Sequence, residues 1–291
     1  MQAADERPLL QRFIEFPLVA LVVAIFLYEL ATTLGFYLGK FVDIGQPGTA
    51  AAHIAINVGL LFATYKFAIA RLGERPRDDL PAQGSLVNLG KGMLIGAMLF
   101  CAVVGVAAAL GVYKVVERGN SSGLLLALIT SGIMPGFTEE LLFRGILFRW
   151  IEEFAGSWIA LLLTSALFGL VHILNPGATW FSTLAIALEA GLLLGGAYML
   201  ARSLWLPIGL HAAWNFTQGG IFGVPVSGNP PNGIIQATLR GPTLLSGGSF
   251  GLEASIIAIA VCMVPGAWFI WRAVQEGKMV EPRWVRRRIS A

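Results

Sequence analysis

The chain alternates between long apolar runs and short polar breaks over its whole length. A run of about 20 apolar residues is long enough to cross a bilayer as a helix. Eight such runs occur, at about residues 17–38, 50–70, 90–113, 122–149, 157–174, 181–201, 204–222 and 253–272. Gly, Pro and Ser residues mark the breaks, the longest of which spans residues 223–251. The pattern predicts an all-α polytopic membrane protein with about eight transmembrane helices.

The composition agrees with a membrane protein and excludes an ordinary soluble domain. Of the 291 residues, 56% are hydrophobic and 13% are charged, and the mean hydropathy is +0.73. Soluble domains carry about 25% charged residues. The two cysteines, Cys101 and Cys262, both fall in apolar runs, which argues against a disulfide framework. The first apolar run is longer than the core of a signal peptide, so we expect a retained transmembrane helix.

Lysine and arginine are distributed unequally between the two sides of the predicted bundle. If the N-terminus is cytoplasmic, 16 of the 20 Lys and Arg residues fall on the cytoplasmic side. The other four are Lys40, Lys114, Arg118 and Arg240. Because cytoplasmic loops carry an excess of these residues, the sequence predicts that both termini are cytoplasmic.

The same pattern divides the chain into five segments. They are a cytoplasmic N-terminal segment (1–16), a three-helix membrane region (17–121), a helical core (122–222), an outer loop (223–252), and a last transmembrane helix with a basic cytoplasmic tail (253–291).

One stretch interrupts the apolar pattern inside a predicted helix. Glu139, Glu140 and Arg144 lie in the fourth run, where a charge costs roughly 2.5–3.5 kcal/mol even on the lenient insertion scale. Glu140 and Arg144 are four residues apart, so on a helix they share a face and can form an ion pair. Glu139 points about 100° away from Glu140 and remains available as a base. A buried ion pair with a protonated third group is the purely structural alternative.

Two of the three histidines, His172 and His211, also lie in apolar runs, and Asn215 follows His211 by one helical turn. A lone histidine on an apolar helix is more often a core residue with hydrogen-bonded ring nitrogens than a functional residue. Isolated polar groups in hydrocarbon are costly, however, so we expect these side chains to converge with Glu139. A carboxylate and an imidazole can activate water for attack on a carbonyl. A second imidazole and a carboxamide can stabilise the resulting oxyanion.

The same residue types leave a second chemistry open. Glu139, His172 and His211 are also suitable ligands for a divalent metal such as zinc. The His-Glu-x-x-His motif of metalloproteases is absent, so the sequence favours no cofactor. Glu189, in the sixth run, is interpreted as a protonated acid bonded to nearby backbone, with a histidine partner as the alternative.

Three motifs resemble, in their order along the chain, those of a known family. They are Glu139-Glu140-x-x-x-Arg144, Phe168-x-x-x-His172 and His211-x-x-x-Asn215. This set is similar to that of the CPBP family, the type II CAAX prenyl endopeptidases and bacteriocin-processing proteins. The resemblance covers about residues 124–216 and implies an all-helical intramembrane endopeptidase with a cavity that opens to the cytoplasm.

The resemblance also implies roles for individual residues. In that family the first glutamate of the pair is regarded as the base that activates water, assisted by the first histidine. The second histidine and the asparagine stabilise the oxyanion. Carried over to this chain, the catalytic residues are Glu139, His172, His211 and Asn215, with supporting roles for Glu140, Arg144 and Phe168.

One estimate of depth fits poorly with a shared site. By simple rise per residue, Glu139 and His211 lie about 12–16 Å from the cytoplasmic face, whereas His172 lies nearer the outer end of its helix. A common site therefore requires that the fifth helix begins below the membrane surface or is strongly tilted.

The sequence thus predicts a multi-pass protease of the bacterial plasma membrane. We expect it to contact membrane lipid, to cleave a membrane-associated peptide or protein such as a prenylated CAAX-type substrate, and to bind no nucleic acid. A metal-dependent form of the same protease is one alternative. A transporter with a buried Glu/His proton relay and a non-catalytic scaffold are the others, although we find no internal repeat typical of transporters.

Overall fold

A computed structural model describes residues 8–231 and 233–289, without the side chains of Arg287 and Ile289. Seven helices in these residues are long and apolar enough to cross a membrane. The first six are α1 (Pro17–Gly39), α2 (Gly48–Arg71), α3 (Ser85–Ala109), α4 (Leu124–Ala155), α5 (Ser157–Leu174) and α6 (Trp180–Ala201). A shorter helix, α7, consists of Trp205–Phe216 and the π-helical turn Thr217–Ile221. The last of the seven is α8 (Ile256–Gln275). The predicted all-α polytopic fold is confirmed.

The two ends of the described chain meet at the same end of the bundle. The ring of Phe154, at the end of α4, lies 5.9 Å from the ring of Phe16 and 5.9 Å from that of Trp284. The guanidinium of Arg283 lies over the Phe16 ring at 4.9 Å. A chain that starts and finishes at one end crosses an even number of times, so α7 completes eight passages. We call this end the terminal end.

The helix α7 agrees closely with its predicted run at 204–222, and protein rather than lipid surrounds it. Most of its side chains are buried, including Leu206, Leu210 and Trp214. It packs along α3 with very close backbone contact. A Cβ atom added at Gly96 would collide with the carbonyl oxygen of Leu210, and one at Gly209 with that of Leu89. Small residues allow such approach between membrane helices, and this approach holds α7 in the middle of the bundle.

Two short strands lie at the opposite end of the described chain, where the sequence analysis predicted only helix ends and loops. Strand β1 (Tyr113–Arg118) pairs antiparallel with β2 (Ile235–Leu239), and Tyr113 lies opposite Leu239. The predicted third run extended to residue 113 because Leu110, Val112 and Tyr113 are apolar, but α3 already ends at Ala109. The pairing holds the loop after α3 and the loop after α7 together. We call this end the sheet end.

Replacement of Gly96 by valine should destabilise the protein, because the added side chain meets backbone of α7 that cannot move aside. Overpacking typically costs about 1–3 kcal/mol. We expect a lower unfolding temperature for purified Gly96→Val in detergent. Gly105→Val is the matched control, since an added Cβ at this position of α3 meets no atom within 4 Å. Equal unfolding temperatures for the two variants would contradict the close α3–α7 contact.

Candidate active site

A fully buried ion pair occupies the middle of α4. The Nη1 of Arg144 donates to Oε1 of Glu140 at 2.9 Å, and both residues are 0% exposed. The predicted pairing of these two residues is therefore present. The pair lies where the α-helical stretch Met134–Glu140 passes into the π-helical stretch Leu141–Phe148. Such π-helical turns are rare and occur frequently at functional sites.

Arg144 also joins α4 to two neighbouring helices. Its Nη2 donates to the carbonyl oxygens of Ala190 and Gly191 in α6, at 3.3 and 3.2 Å. Its guanidinium lies 4.6 Å from the ring centroid of Phe168 in α5, a cation–π contact. Phe168 thus contacts Arg144 of α4, a residue outside the Phe168-x-x-x-His172 motif. A lysine has no planar fork and would not satisfy all these partners.

His211 is held by the same carboxylate. Its Nδ1 lies 2.9 Å from Oε1 of Glu140, the oxygen that also accepts from Arg144. An ionised carboxylate only accepts hydrogen bonds, so Nδ1 of His211 carries a proton and donates it. The sequence analysis predicted that Glu140 pairs with Arg144, because the two are four residues apart on one helix. It did not predict the bond from His211 to Glu140, because sequence spacing does not show which residues of different helices meet.

His172 is oriented by its own helix. Its Nδ1 lies 2.6 Å from the carbonyl oxygen of Phe168, one turn earlier in α5. A carbonyl oxygen only accepts, so Nδ1 is the protonated nitrogen and Nε2 is the basic one. His172 begins the last turn of α5, just before the Asn-Pro-Gly sequence at 175–177.

Glu139, His172, His211 and Asn215 line one cavity of about 550 Å³. Glu139 faces it from α4, His172 from the end of α5, and His211 and Asn215 from α7. The tertiary structure thus brings together the four residues that the sequence analysis predicted as catalytic. The rest of the lining comes from the first half of α4 and from the loops after α5 and α7: Thr130, Ser131, Met134, Pro135, Thr138, Asn175, Val226, Ser227, Asn229 and Pro230.

Within the described residues, both glutamates keep one buried oxygen atom that has no hydrogen-bond partner. These atoms are Oε2 of Glu139 and Oε2 of Glu140. Buried polar atoms are nearly always bonded, so each exception needs a physical explanation. Glu139 also lines the cavity, so its carboxylate is suited to accept a proton from a molecule inside it.

Two further carboxylates lie beside the histidines, in a smaller pocket that His172, His211 and Asn215 also line. Glu253 is 2% exposed and accepts a hydrogen bond from the backbone N–H of Ser227. Burial raises the pKa of Glu253 to about 7, although the hydrogen bonds from Ser227 and Gln218 oppose this shift. The sequence analysis missed Glu253 because it stands at the edge of the predicted last helix, where a carboxylate usually faces water.

Glu189 lines the same pocket and is 2% exposed. The thiol of Cys262 in α8 is among the groups close to its carboxyl group.

The described side chains that could bind a metal ion are not arranged as a metal site. In the part of the chain that the structure describes, no group of three or more His, Cys, Asp or Glu side chains is placed to hold a metal ion. Glu139, His172 and His211, the ligands considered above for zinc, share a cavity but do not form such a group. The Nδ1 atoms of both histidines already bond to protein oxygens, which leaves one ring nitrogen each.

Comparison with known proteins gives one match. Residues 121–217 match the family model described as type II CAAX prenyl endopeptidase Rce1-like. No curated protein and no solved structure matches the chain. The matched segment contains the four residues predicted as catalytic and the three predicted as supporting, whereas Glu253 lies outside it.

Replacement of Arg144 by methionine should strongly destabilise the protein, because it leaves the carboxylate of Glu140 buried without its cation. Removing one partner of a buried ion pair typically costs about 3–5 kcal/mol. We expect a lower unfolding temperature in detergent for Arg144→Met, and partial recovery in the double variant Glu140→Gln/Arg144→Met. Arg118→Met, at an exposed position in β1, is the control. An unchanged unfolding temperature for Arg144→Met would show that the pair does not hold the site.

Proposed function

We propose that the protein hydrolyses peptide bonds within the membrane, using a water molecule activated by Glu139 and His172. The match of residues 121–217 to the Rce1-like model of type II CAAX prenyl endopeptidases supports this reaction. One observation carries the proposal. A carboxylate, two imidazoles and a carboxamide from three separate helices line one cavity inside an otherwise apolar bundle.

Glu139 serves as the general base. Its carboxylate lines the cavity, and its Oε2 has no protein hydrogen-bond partner among the described residues, so the group can take a proton from a water molecule there. His172 assists through Nε2, which accepts a hydrogen bond from the same water because Nδ1 donates to Phe168. As the water oxygen bonds to the carbonyl carbon of the substrate, its proton passes to Glu139. Glu139 then returns that proton to the leaving amine when the peptide bond breaks.

His211 and Asn215 stabilise the negative charge that develops on the carbonyl oxygen. The carboxamide of Asn215 supplies one N–H donor. His211 donates through Nε2 only when both ring nitrogens are protonated, because its Nδ1 already donates to Glu140. The carboxylate of Glu140 stabilises that imidazolium form. Glu140 is thus a positioning residue, since it acts on the reaction through His211.

The substrate proposed for this site is a peptide segment attached to or inserted in the membrane. A prenylated C-terminus is the substrate that the family description indicates, and a membrane-proximal peptide without a prenyl group is the broader class. The mechanism proposed here needs no metal ion, since Glu139 and His172 activate the water molecule themselves. The metal-dependent protease, the transporter and the non-catalytic scaffold remain as outcomes of the tests below.

Glu139→Gln should lower peptide cleavage by at least about 100-fold, because general bases contribute about 10²–10⁴-fold to rate. The measurement is cleavage of a fluorogenic, lipid-anchored peptide by purified protein in liposomes. Glu29→Gln is the matched control, because Glu29 is an exposed carboxylate on α1 outside the cavity. Unfolding temperatures of both variants should equal that of the wild type.

The result separates the proposed function from its alternatives. Wild-type cleavage by Glu139→Gln would eliminate Glu139 as the base. A scaffold would show no cleavage by either protein and an intact cellular phenotype in the variant. A transporter would show Glu139-dependent proton movement without cleavage.

Chelators should leave cleavage unchanged, because the proposed mechanism draws on protein side chains alone. Purified protein is incubated with EDTA or 1,10-phenanthroline and then assayed with the same peptide. A known zinc protease in the same liposomes is the control for effective chelation. Loss of cleavage that added zinc restores would favour the metal-dependent alternative, with Glu139, His172 and His211 as the ligands.

A further inference from the structure

The cavity is open toward only one end of the bundle. On α4, its lining residues run from Thr130 to Glu139, which is the half of the helix nearer the sheet end. The loop residues that complete it, including Asn175 and Asn229, follow the ends of α5 and α7 at the sheet end. Beyond Glu139 toward the terminal end, Glu140, Arg144 and Phe148 are fully buried. The cavity therefore opens at the sheet end and is closed toward the terminal end.

The cationic side chains lie mostly at the other end. On segments at the sheet end, the described residues include four cations, Lys40, Lys114, Arg118 and Arg240. Apart from Arg144 in the site, the other described lysines and arginines lie on segments at the terminal end, in the loops and helix ends around α1, α4 and the tail.

Membrane orientation follows the number of lysines and arginines near helix ends, not net charge. Ion pairs at the terminal end, such as Arg202 with Glu152 and Arg77 with Asp79, therefore do not weaken the bias. The terminal end is the cytoplasmic one by this rule, and the sheet end faces the other side. The cytoplasmic opening implied by the family resemblance and the cytoplasmic termini implied by the charges are incompatible in this structure.

The walls of the cavity indicate what enters it. The lining contains hydroxyl and carboxamide groups, including those of Ser131, Thr138, Ser227 and Asn229, which bond to peptide N–H and C=O groups. The described lining contains no lysine or arginine, and the carboxylate of Glu139 would repel a free C-terminal carboxylate beside it. These features favour an internal, uncharged peptide segment over a chain terminus.

We infer that the cavity opens on the non-cytoplasmic face of the membrane and takes an uncharged internal peptide segment of a membrane-anchored protein exposed on that face. The substrate part of this inference rests on the proposed function, whereas the direction of opening does not. A prenylated C-terminus on the cytoplasmic side is then not the substrate of this protein.

Cysteine labelling tests the direction of opening without any cleavage. In a Cys101→Ser/Cys262→Ala background, single cysteines replace Asn229 at the cavity mouth, Lys114 in β1 and Arg75 at the terminal end, all exposed positions. Spheroplasts and sealed inside-out vesicles are treated with a membrane-impermeant maleimide. We expect Asn229→Cys and Lys114→Cys to react in spheroplasts as fully as in detergent. Arg75→Cys should react only in inside-out vesicles or detergent.

The opposite labelling pattern would overturn the inference, and so would labelling of all three cysteines from one side. If Asn229→Cys does not fold, Lys114→Cys still reports the sheet end. A fluorogenic peptide with an uncharged internal segment and a lipid anchor, added to sealed vesicles, then tests the substrate. Cleavage should occur with right-side-out vesicles and not with inside-out ones. Cleavage only in inside-out vesicles would refute the inference but keep the protease function, whereas expected labelling without any cleavage would refute the function alone.

Discussion

The carboxylate of Glu140, placed between Arg144 and His211, is the interaction on which the rest of the structure depends. Burying any one of these charged or polar groups alone inside an apolar bundle would cost several kcal/mol of stability, roughly 3–5 for an unpaired ion. Together they satisfy most of one another's hydrogen bonds, and Arg144 adds two carbonyl oxygens of α6 and the ring of Phe168. Four helices are thereby joined at one point. Glu139, next to Glu140 in the sequence, has no salt-bridge partner among residues 8–231 and 233–289.

Close helix contacts make that arrangement possible. Glycines on α3 and α7 let the two backbones touch, which keeps α7 and its histidine away from lipid. π-helical turns occur in α4, α6 and α7, the helices that carry or contact the buried pair. The result is a bundle with a dense terminal end, rich in ion pairs, and a sheet end that contains the cavity, the loops and the two-stranded sheet. The polar cavity is confined to the sheet end.

Much of this architecture was predictable from hydrophobic runs and helical spacing. The runs at residues 17–38 and 181–201 agree closely with α1 and α6, and the Glu140–Arg144 pair follows from a separation of four residues. The estimate that placed His172 far from Glu139 was misleading, because it referred both to the cytoplasmic face. In the structure the cavity extends from Glu139 toward the sheet end, where α5 ends at His172–Leu174, so no unusual tilt is needed. The strands were missed because their short apolar stretches continue or resemble the neighbouring helices.

Local sequence alone determined which segments leave water, which helices carry polar groups, and which two charges on α4 meet, since these depend on neighbours within a few residues. Only the tertiary structure decided that His211 bonds to Glu140, that Glu253 and Glu189 lie beside the histidines, and toward which end the cavity opens. Those relations join residues on different helices and loops, which for His211 and Glu140 are 71 positions apart in the sequence. They are set by how whole helices pack, for which the spacing of residues along one helix carries no information.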